Sequence, residues 1–94
     1  MLLNLMTELH AIFKGRVQGV GFRWTVVACA EKFKLTGTVK NLSDGTVEVY
    51  AQGPKETLQS FLEFLQNNPD SARIDSVKHT YTTPTSSYSN FHII

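Results

Sequence analysis

Residues 35–53 read LTGTVKNLSDGTVEVYAQG. Two runs rich in valine and threonine flank the dipeptide Asp44-Gly45, and this composition favours a β-strand on each side of a turn. Asp-Gly also supplies the positive φ angles that a tight primed turn needs. The stretch therefore predicts an antiparallel β-hairpin in the middle of the chain, around which the other elements can be placed.

A helix is predicted on each side of this hairpin. The helix before it has apolar residues at spacings of three and four: Phe22, Val26, Cys29, Ala30 and Phe33. The helix after it begins near Pro54, which suits a first helical position. Its apolar residues have the same spacing: Leu58, Phe61, Leu62 and Leu65. Both patterns are typical of amphipathic helices with one buried face. The second helix is expected to end at NNPD, residues 67–70.

Strands are predicted outside the two helices. In TELHAIFK, residues 7–14, Leu9, Ala11 and Phe13 alternate with residues that face the other way, so one strand face is buried. RIDSVKHTYT, residues 73–82, is another strand, and FHII, residues 91–94, allows a short extra strand. The order β-α-β-β-α-β predicts an α+β ferredoxin-like sandwich, an antiparallel sheet with two helices on one face.

The size and composition of the chain restrict its class. Ninety-four residues suit one domain, expected at residues 7–94 after a loose tail at residues 1–6. The formal net charge of +1 argues against a nucleic-acid partner, and the lack of a long apolar run argues against a membrane span. A single cysteine, Cys29, excludes an internal disulfide and favours a cytoplasmic protein. We expect a monomer.

A glycine-rich segment, GRVQGVGFR at residues 15–23, joins the first strand to the first helix. The first N–H groups of a helix lack internal partners, and the helix dipole adds partial positive charge there. Glycines let the preceding backbone curl so that several N–H groups converge, which is typical of an anion site. Arg23 would add a planar fork of donors. A purely structural turn explains these glycines about as well, and Gln18 either contacts the ligand or stiffens the loop.

Asn41 is the second candidate residue. It lies near the end of the first hairpin strand, on the same face as Val39, where an amide among apolar side chains is unexpected. It either contributes to a site or caps the hairpin turn through its side chain. The histidines at positions 10, 79 and 92 lack the spacing of metal ligands, so no metal or other cofactor is predicted.

Together the two segments resemble the acylphosphatase family. The family's first motif, G-x-V-Q-G-V-x-F-R, is matched by residues 15–23, and its second, G-x-V-x-N-x-x-D-G-x-V, by residues 37–47. The resemblance covers about residues 7–94. It implies the ferredoxin-like sandwich that the element order also predicts. The length favours a stand-alone enzyme over the first domain of a larger protein.

The resemblance also implies an activity, because members of this family hydrolyse the carboxyl–phosphate bond of acyl phosphates, without a metal. Arg23 would bind the phosphate, Asn41 would orient the attacking water, and inorganic phosphate would be both product and competitive ligand. The main-chain N–H groups that would cradle the phosphate belong to Gly15, Arg16, Val17, Gln18, Gly19 and Val20. The alternative is a non-catalytic ferredoxin-like module that binds RNA or a small molecule.

Overall fold

A computed structural model describes residues 6–94 of the chain. Its elements are β1 (Thr7–Arg16), α1 (Phe22–Lys32), β2 (Thr36–Asn41), β3 (Val47–Gly53), α2 (Lys55–Asn67), β4 (Arg73–Thr82) and β5 (Phe91–Ile93). This order confirms the predicted β-α-β-β-α-β arrangement and the short final strand. Apart from Met6, the predicted tail at residues 1–6 lies outside the described residues. Neither helix in the described range has the length and hydropathy needed to cross a membrane.

The five strands form one sheet in the order β4-β1-β3-β2-β5. β1 pairs antiparallel with both β3 and β4, and β2 pairs antiparallel with β3. The prediction of an antiparallel sheet therefore holds for four strands, whereas β5 pairs with β2 in parallel and makes the sheet mixed. The parallel pairing arises because the chain leaves β4 at the end of the sheet where β2 begins. β5 enters from that end and runs in the same direction as β2.

The core lies between one face of the sheet and the two helices. Leu9, Ala11 and Phe13 of β1 are fully buried there, as the alternation in the sequence predicted. The helices contribute the predicted stripes: Phe22, Val26, Cys29 and Ala30 from α1, and Leu58, Phe61, Leu62 and Leu65 from α2. Burial of each large apolar side chain contributes roughly 1.5–3 kcal/mol. Phe33 follows the last residue of α1, and its ring packs edge-on against Phe61 and Phe64.

The turn between β2 and β3 differs from the predicted primed turn. A type I′ turn needs positive φ at both central residues, but of Asp44 and Gly45 only Gly45 has one, at +92°. The N–H of Gly45 donates to the carbonyl of Leu42 (3.1 Å), and the N–H of Leu42 donates to the carbonyl of Thr46 (2.9 Å). These bonds define a three-residue loop in which glycine takes the left-handed position.

Asp44 stabilises this turn with its side chain. Its Oδ1 accepts hydrogen bonds from the hydroxyl of Thr46 (2.6 Å) and from the N–H of Thr46 (3.0 Å). Both bonds favour the ionised carboxylate, so they lower the pKa of Asp44 below its usual value. The capping role that the sequence offered to Asn41 is therefore carried out by Asp44.

Candidate active site

The topology brings the two motif segments to one edge of the sheet. β1 and β2 run in the same direction because both pair antiparallel with β3. α1 connects them, so it starts beyond the end of β1 and returns to the start of β2. The loop at residues 17–21, the first turn of α1 and the last residue of β2 therefore lie at the same end of the molecule.

Gln18 joins these segments directly. Its Nε2 donates to the carbonyl of Leu42 at 2.8 Å and to the carbonyl of Thr46 at 2.9 Å. Both amide hydrogens are thus used to hold the glycine loop against the hairpin turn. Of the two roles that the sequence left open for this side chain, the structure shows the stiffening of the loop. Leu42 and Thr46 take part through backbone carbonyls, which carry no sequence signal.

Apolar side chains anchor the glycine loop at both ends. Val17 and Phe22 are each only 1% exposed, and Val20 packs against the core. Gly19 and Gly21 have φ angles of +76° and +78°, in the left-handed region. Among residues 6–94, no N–H group from residues 17–21 donates to another protein group. With Val17, Val20 and Phe22 turned inward, these backbone donors have the arrangement that is typical of an anion-binding loop.

Gly15 and Arg16 differ from the rest of the predicted cradle. The structure assigns both to the end of β1, where they pair with Ile74 and Arg73 of β4. A register shift between Lys14 and Gly15 precedes them. On the other side, the pairing of β1 with β3 ends at Phe13. The edge of Gly15 and Arg16 that faces away from β4 is therefore no longer covered by a strand.

Arg23 is the second residue of α1 and is half-buried. In the described part of the chain, ion pairs occur at His10–Glu48 and Arg73–Asp75, and Arg23 belongs to neither. Its guanidinium is therefore a cation at the start of a helix with no protein carboxylate against it. A group in this position adds to the positive end of the helix dipole.

Asn41 lies on the helix-covered face of the sheet, two residues after the fully buried Val39. Its Oδ1 is buried and has no hydrogen-bond partner among the described residues. A buried acceptor left unpaired costs about 1–3 kcal/mol, so such atoms are uncommon in folded proteins, and a catalytic role is one of the reasons for keeping them. The unpaired oxygen agrees with a site residue and not with the capping role.

The three histidines are dispersed, and each has its own structural contact. His10 stacks on Tyr50 with ring centroids 4.4 Å apart, and its Nε2 lies 2.8 Å from Glu48. His79 contacts Tyr81 edge-on, and Nδ1 of His92 lies 2.8 Å from Oδ1 of Asn90. Within residues 6–94 the three histidines therefore do not form a cluster.

The fold and its two motif segments place the molecule among ferredoxin-like α+β domains with a glycine loop at one end of the sheet. The sequence model of the family described as Acylphosphatase matches residues 9–93. The acylphosphatase of Bacillus licheniformis is 42% identical over 88 residues, which cover 94% of this chain and 98% of that protein. The chain belongs to the acylphosphatase family.

Solved structures agree with this assignment. The crystal structure of acylphosphatase from Bacillus subtilis matches with a TM-score of 0.88 and 40% identity, covering 94% of this chain and 98% of that one. An acylphosphatase from Coxiella burnetii matches with a TM-score of 0.86 and 37% identity, covering 95% and 93%. The resemblance, the fold and the hydrolase class expected from the sequence are confirmed, and a non-catalytic binding module is not favoured.

Proposed function

We propose that this chain hydrolyses acyl phosphates to a carboxylate and inorganic phosphate, with the groups of residues 15–20, Arg23 and Asn41. The observation that carries the proposal is the buried Oδ1 of Asn41, at the same end of the molecule as the guanidinium of Arg23: within residues 6–94 the first has no hydrogen-bond partner and the second no ion-pair partner. Membership of the acylphosphatase family supports the same reaction.

The substrate phosphate is bound by backbone donors and one side chain. N–H groups of residues 15–20 donate to its oxygens, and the guanidinium of Arg23 adds charge-assisted hydrogen bonds. These donors are held in place before the substrate arrives, because Gln18 fixes the loop to the hairpin and apolar anchors fix its ends. Preorganised donors stabilise charge in the transition state at little reorganisation cost.

The reaction itself needs few protein groups. Water attacks phosphorus, the bond from phosphorus to the carboxyl oxygen breaks, and the carboxylate leaves with its electron pair. Because carboxyl pKa values lie around 4, this leaving group needs no general acid. Asn41 Oδ1 accepts a hydrogen bond from the attacking water and positions it, while a phosphate oxygen of the substrate receives the proton. The charge stabilisation required of a metal ion in other phosphoryl transfers is supplied here by Arg23 and the loop.

Hydrolysis of benzoyl phosphate in the presence of EDTA tests the proposed function. We expect benzoate and phosphate in equal amounts, with inorganic phosphate as a competitive inhibitor. A phenyl phosphate ester is the matched control, because its phenolate is a far poorer leaving group and the site offers no acid to protonate it. If folded protein, verified by circular dichroism, fails to hydrolyse benzoyl phosphate, the proposal is wrong.

The backbone cradle is tested by Gly19→Ala. Apart from its chain neighbours, an added Cβ at Gly19 would meet no atom of residues 6–94 within 4 Å, so the substitution acts through the φ angle of +76° and not through a clash. A left-handed alanine costs roughly 1–2 kcal/mol, and the loop is expected to relax and turn its N–H groups away. We expect the inhibition constant of phosphate to rise at least about fivefold, that is by about 1 kcal/mol of binding.

Gly19→Asn is the control for this change. Asparagine tolerates the left-handed region, so this variant keeps the loop conformation and is expected to retain phosphate affinity. Inhibition constants from benzoyl phosphate assays, read beside melting temperatures, separate binding from stability. Unchanged phosphate inhibition in folded Gly19→Ala would contradict a backbone cradle.

We further propose that residues 7–94 form the catalytic domain of a cytoplasmic monomer. Every group in the proposed mechanism comes from one chain, so a second copy is not required to complete it. The only thiol, Cys29, is buried in the core, and burial raises its pKa to about 11. Since the thiolate is the reactive form, we expect this thiol to stay protonated and unreactive at neutral pH.

A further inference from the structure

A groove of about 500 Å³ separates α1 from β5, beside the proposed phosphate site. Arg23, Trp24 and Val27 line it from the helix, with Glu31 further along, and Ile93 lines it from the strand together with the buried Phe91 and the exposed His92. A volume of this size suits a small organic ligand. No residue of the proposed hydrolysis apart from Arg23 belongs to it.

The side chains that α1 contributes to the groove change from cationic to apolar to anionic along the helix. Arg23, Val27 and Glu31 are spaced by four residues, so they lie on one face of the helix. At a rise of about 1.5 Å per residue, they are separated by steps of about 6 Å. A cation therefore stands at one end, an apolar side chain in the middle, and an exposed carboxylate about 12 Å from the cation.

The strand side of the groove places an apolar residue near its cationic end. β5 runs parallel to β2, whereas α1 runs antiparallel to it, so the end of β5 lies near the start of α1. Ile93 pairs with Val39, two residues before Asn41, and the N–H of Ile94 donates to the carbonyl of Val39 at 3.0 Å. An apolar residue of β5 thus stands at the end of the groove where Arg23 lies, near the end of β2 that carries Asn41.

Trp24 is the most unusual side chain at this surface. It is 69% exposed, although an indole normally covers apolar surface, and it is the only tryptophan in the chain. It directly follows Arg23, so its ring lies beside the groove at the cationic end. An exposed aromatic ring next to a cation and a cavity is a ready contact for the apolar part of an anionic ligand.

We propose that this groove binds the acyl group of the substrate and makes the enzyme prefer acyl phosphates with an uncharged, apolar acyl group. The inference rests on the proposed function, because Arg23 is shared by both sites. A ligand whose phosphate contacts Arg23 has its acyl carbons within reach of Trp24, Val27 and Ile93. Glu31, at the far end, disfavours an acyl group that carries a second carboxylate.

The first test compares kcat/KM for benzoyl phosphate with kcat/KM for acetyl phosphate. For Trp24→Ala we expect the benzoyl-to-acetyl ratio to fall about tenfold, a typical effect for lost apolar contact in a substrate pocket. Inhibition by inorganic phosphate, which has no acyl group, should stay within about twofold of the original. Met6→Ala is the matched control, since Met6 is also an exposed large apolar residue but lies outside the groove, and its ratio should not change.

A second test uses the carboxylate at the far end. Glu31→Lys is expected to raise kcat/KM for succinyl phosphate about threefold relative to benzoyl phosphate, with a smaller rise in Glu31→Gln. The gain should shrink at high salt, because exposed charges are screened.

Tryptophan fluorescence gives a readout that does not depend on turnover. Benzoylmethylphosphonate cannot be hydrolysed and carries the aromatic group, whereas acetonylphosphonate carries only a methyl group. We expect the first to shift the emission of Trp24 and the second to leave it unchanged.

The outcomes separate the two proposals. A protein that hydrolyses neither benzoyl nor acetyl phosphate overturns the proposed function. The acyl subsite is overturned, and the proposed function stands, if the protein hydrolyses both substrates and three further results are found. The benzoyl-to-acetyl ratio of Trp24→Ala equals that of Met6→Ala, and the succinyl-to-benzoyl ratio of Glu31→Lys also equals that of Met6→Ala. Neither phosphonate shifts the emission of Trp24.

Discussion

Replacing Arg23 by glutamine is expected to lower kcat/KM for benzoyl phosphate about a thousandfold, or roughly 4 kcal/mol of transition-state stabilisation. Glutamine keeps hydrogen-bonding capacity but loses the charge and the bidentate fork that match a phosphate. Because Arg23 is in no ion pair within residues 6–94, its loss leaves no protein carboxylate unpaired. The melting temperature should therefore stay close to that of the original protein, while the inhibition constant of phosphate rises.

Arg73→Gln is the matched control for this prediction. Arg73 is exposed and pairs with Asp75, which is also exposed, with Nε 2.9 Å from Oδ1. A surface pair of this kind contributes little to stability, and Arg73 has no part in the proposed mechanism. We expect kcat/KM to stay within about threefold for this variant, the small change reflecting only long-range charge. Equal activity losses in Arg23→Gln and Arg73→Gln would mean that net charge, and not a specific phosphate ligand, explains the effect.

The second large effect is expected from Asn41→Ala. If Oδ1 positions the attacking water, its removal should lower kcat about a hundredfold, or roughly 2.7 kcal/mol. The inhibition constant of phosphate should change by less than about twofold, because water and not phosphate is the partner of this amide. Stability should be unchanged or slightly higher, since alanine removes a buried acceptor that has no protein partner.

Two other variants distinguish this role from a structural one. Asp44→Ala removes the hydrogen bonds that stabilise the hairpin turn, and it is expected to lower the melting temperature while kcat is retained. Asn68→Ala removes an exposed amide that donates to the carbonyl of Phe64 at the end of α2, and kcat should again be retained. An Asn41→Ala protein that unfolds easily but has normal kcat per folded molecule would assign Asn41 to the turn.

Elements with a strong periodic pattern were predictable from the sequence. The stripe of α2 and the alternation of β1 agree with the buried residues of the structure. β4 was also placed correctly at residues 73–82. The parallel pairing of β5 with β2 was not predictable, because it depends on the end of the sheet at which a distant strand finishes. The predicted type of the hairpin turn was wrong, because Asp-Gly fits a three-residue loop as well as a primed turn.

The candidate site was predictable in composition but not in assembly. The two motifs identified the glycine loop, Arg23 and Asn41 as candidates. The strand topology then brings their segments to one end of the sheet. The sequence did not show that Gly15 and Arg16 continue β1, because a strand end follows from pairing with β4 and not from local composition. Nor did it place Ile93 in the same groove as Trp24, since that placement depends on the pairing of β5.

The amide of Gln18 spans 24 residues of chain to Leu42 and 28 to Thr46. A loop closed by such distant partners cannot be shaped until the hairpin itself has formed. We therefore expect the loop to take its ordered form during refolding only after β2 has paired with β3. Because this contact is non-local, we expect the recovery of turnover to report on the docking of the loop against the hairpin and not on the formation of α1 or α2 alone.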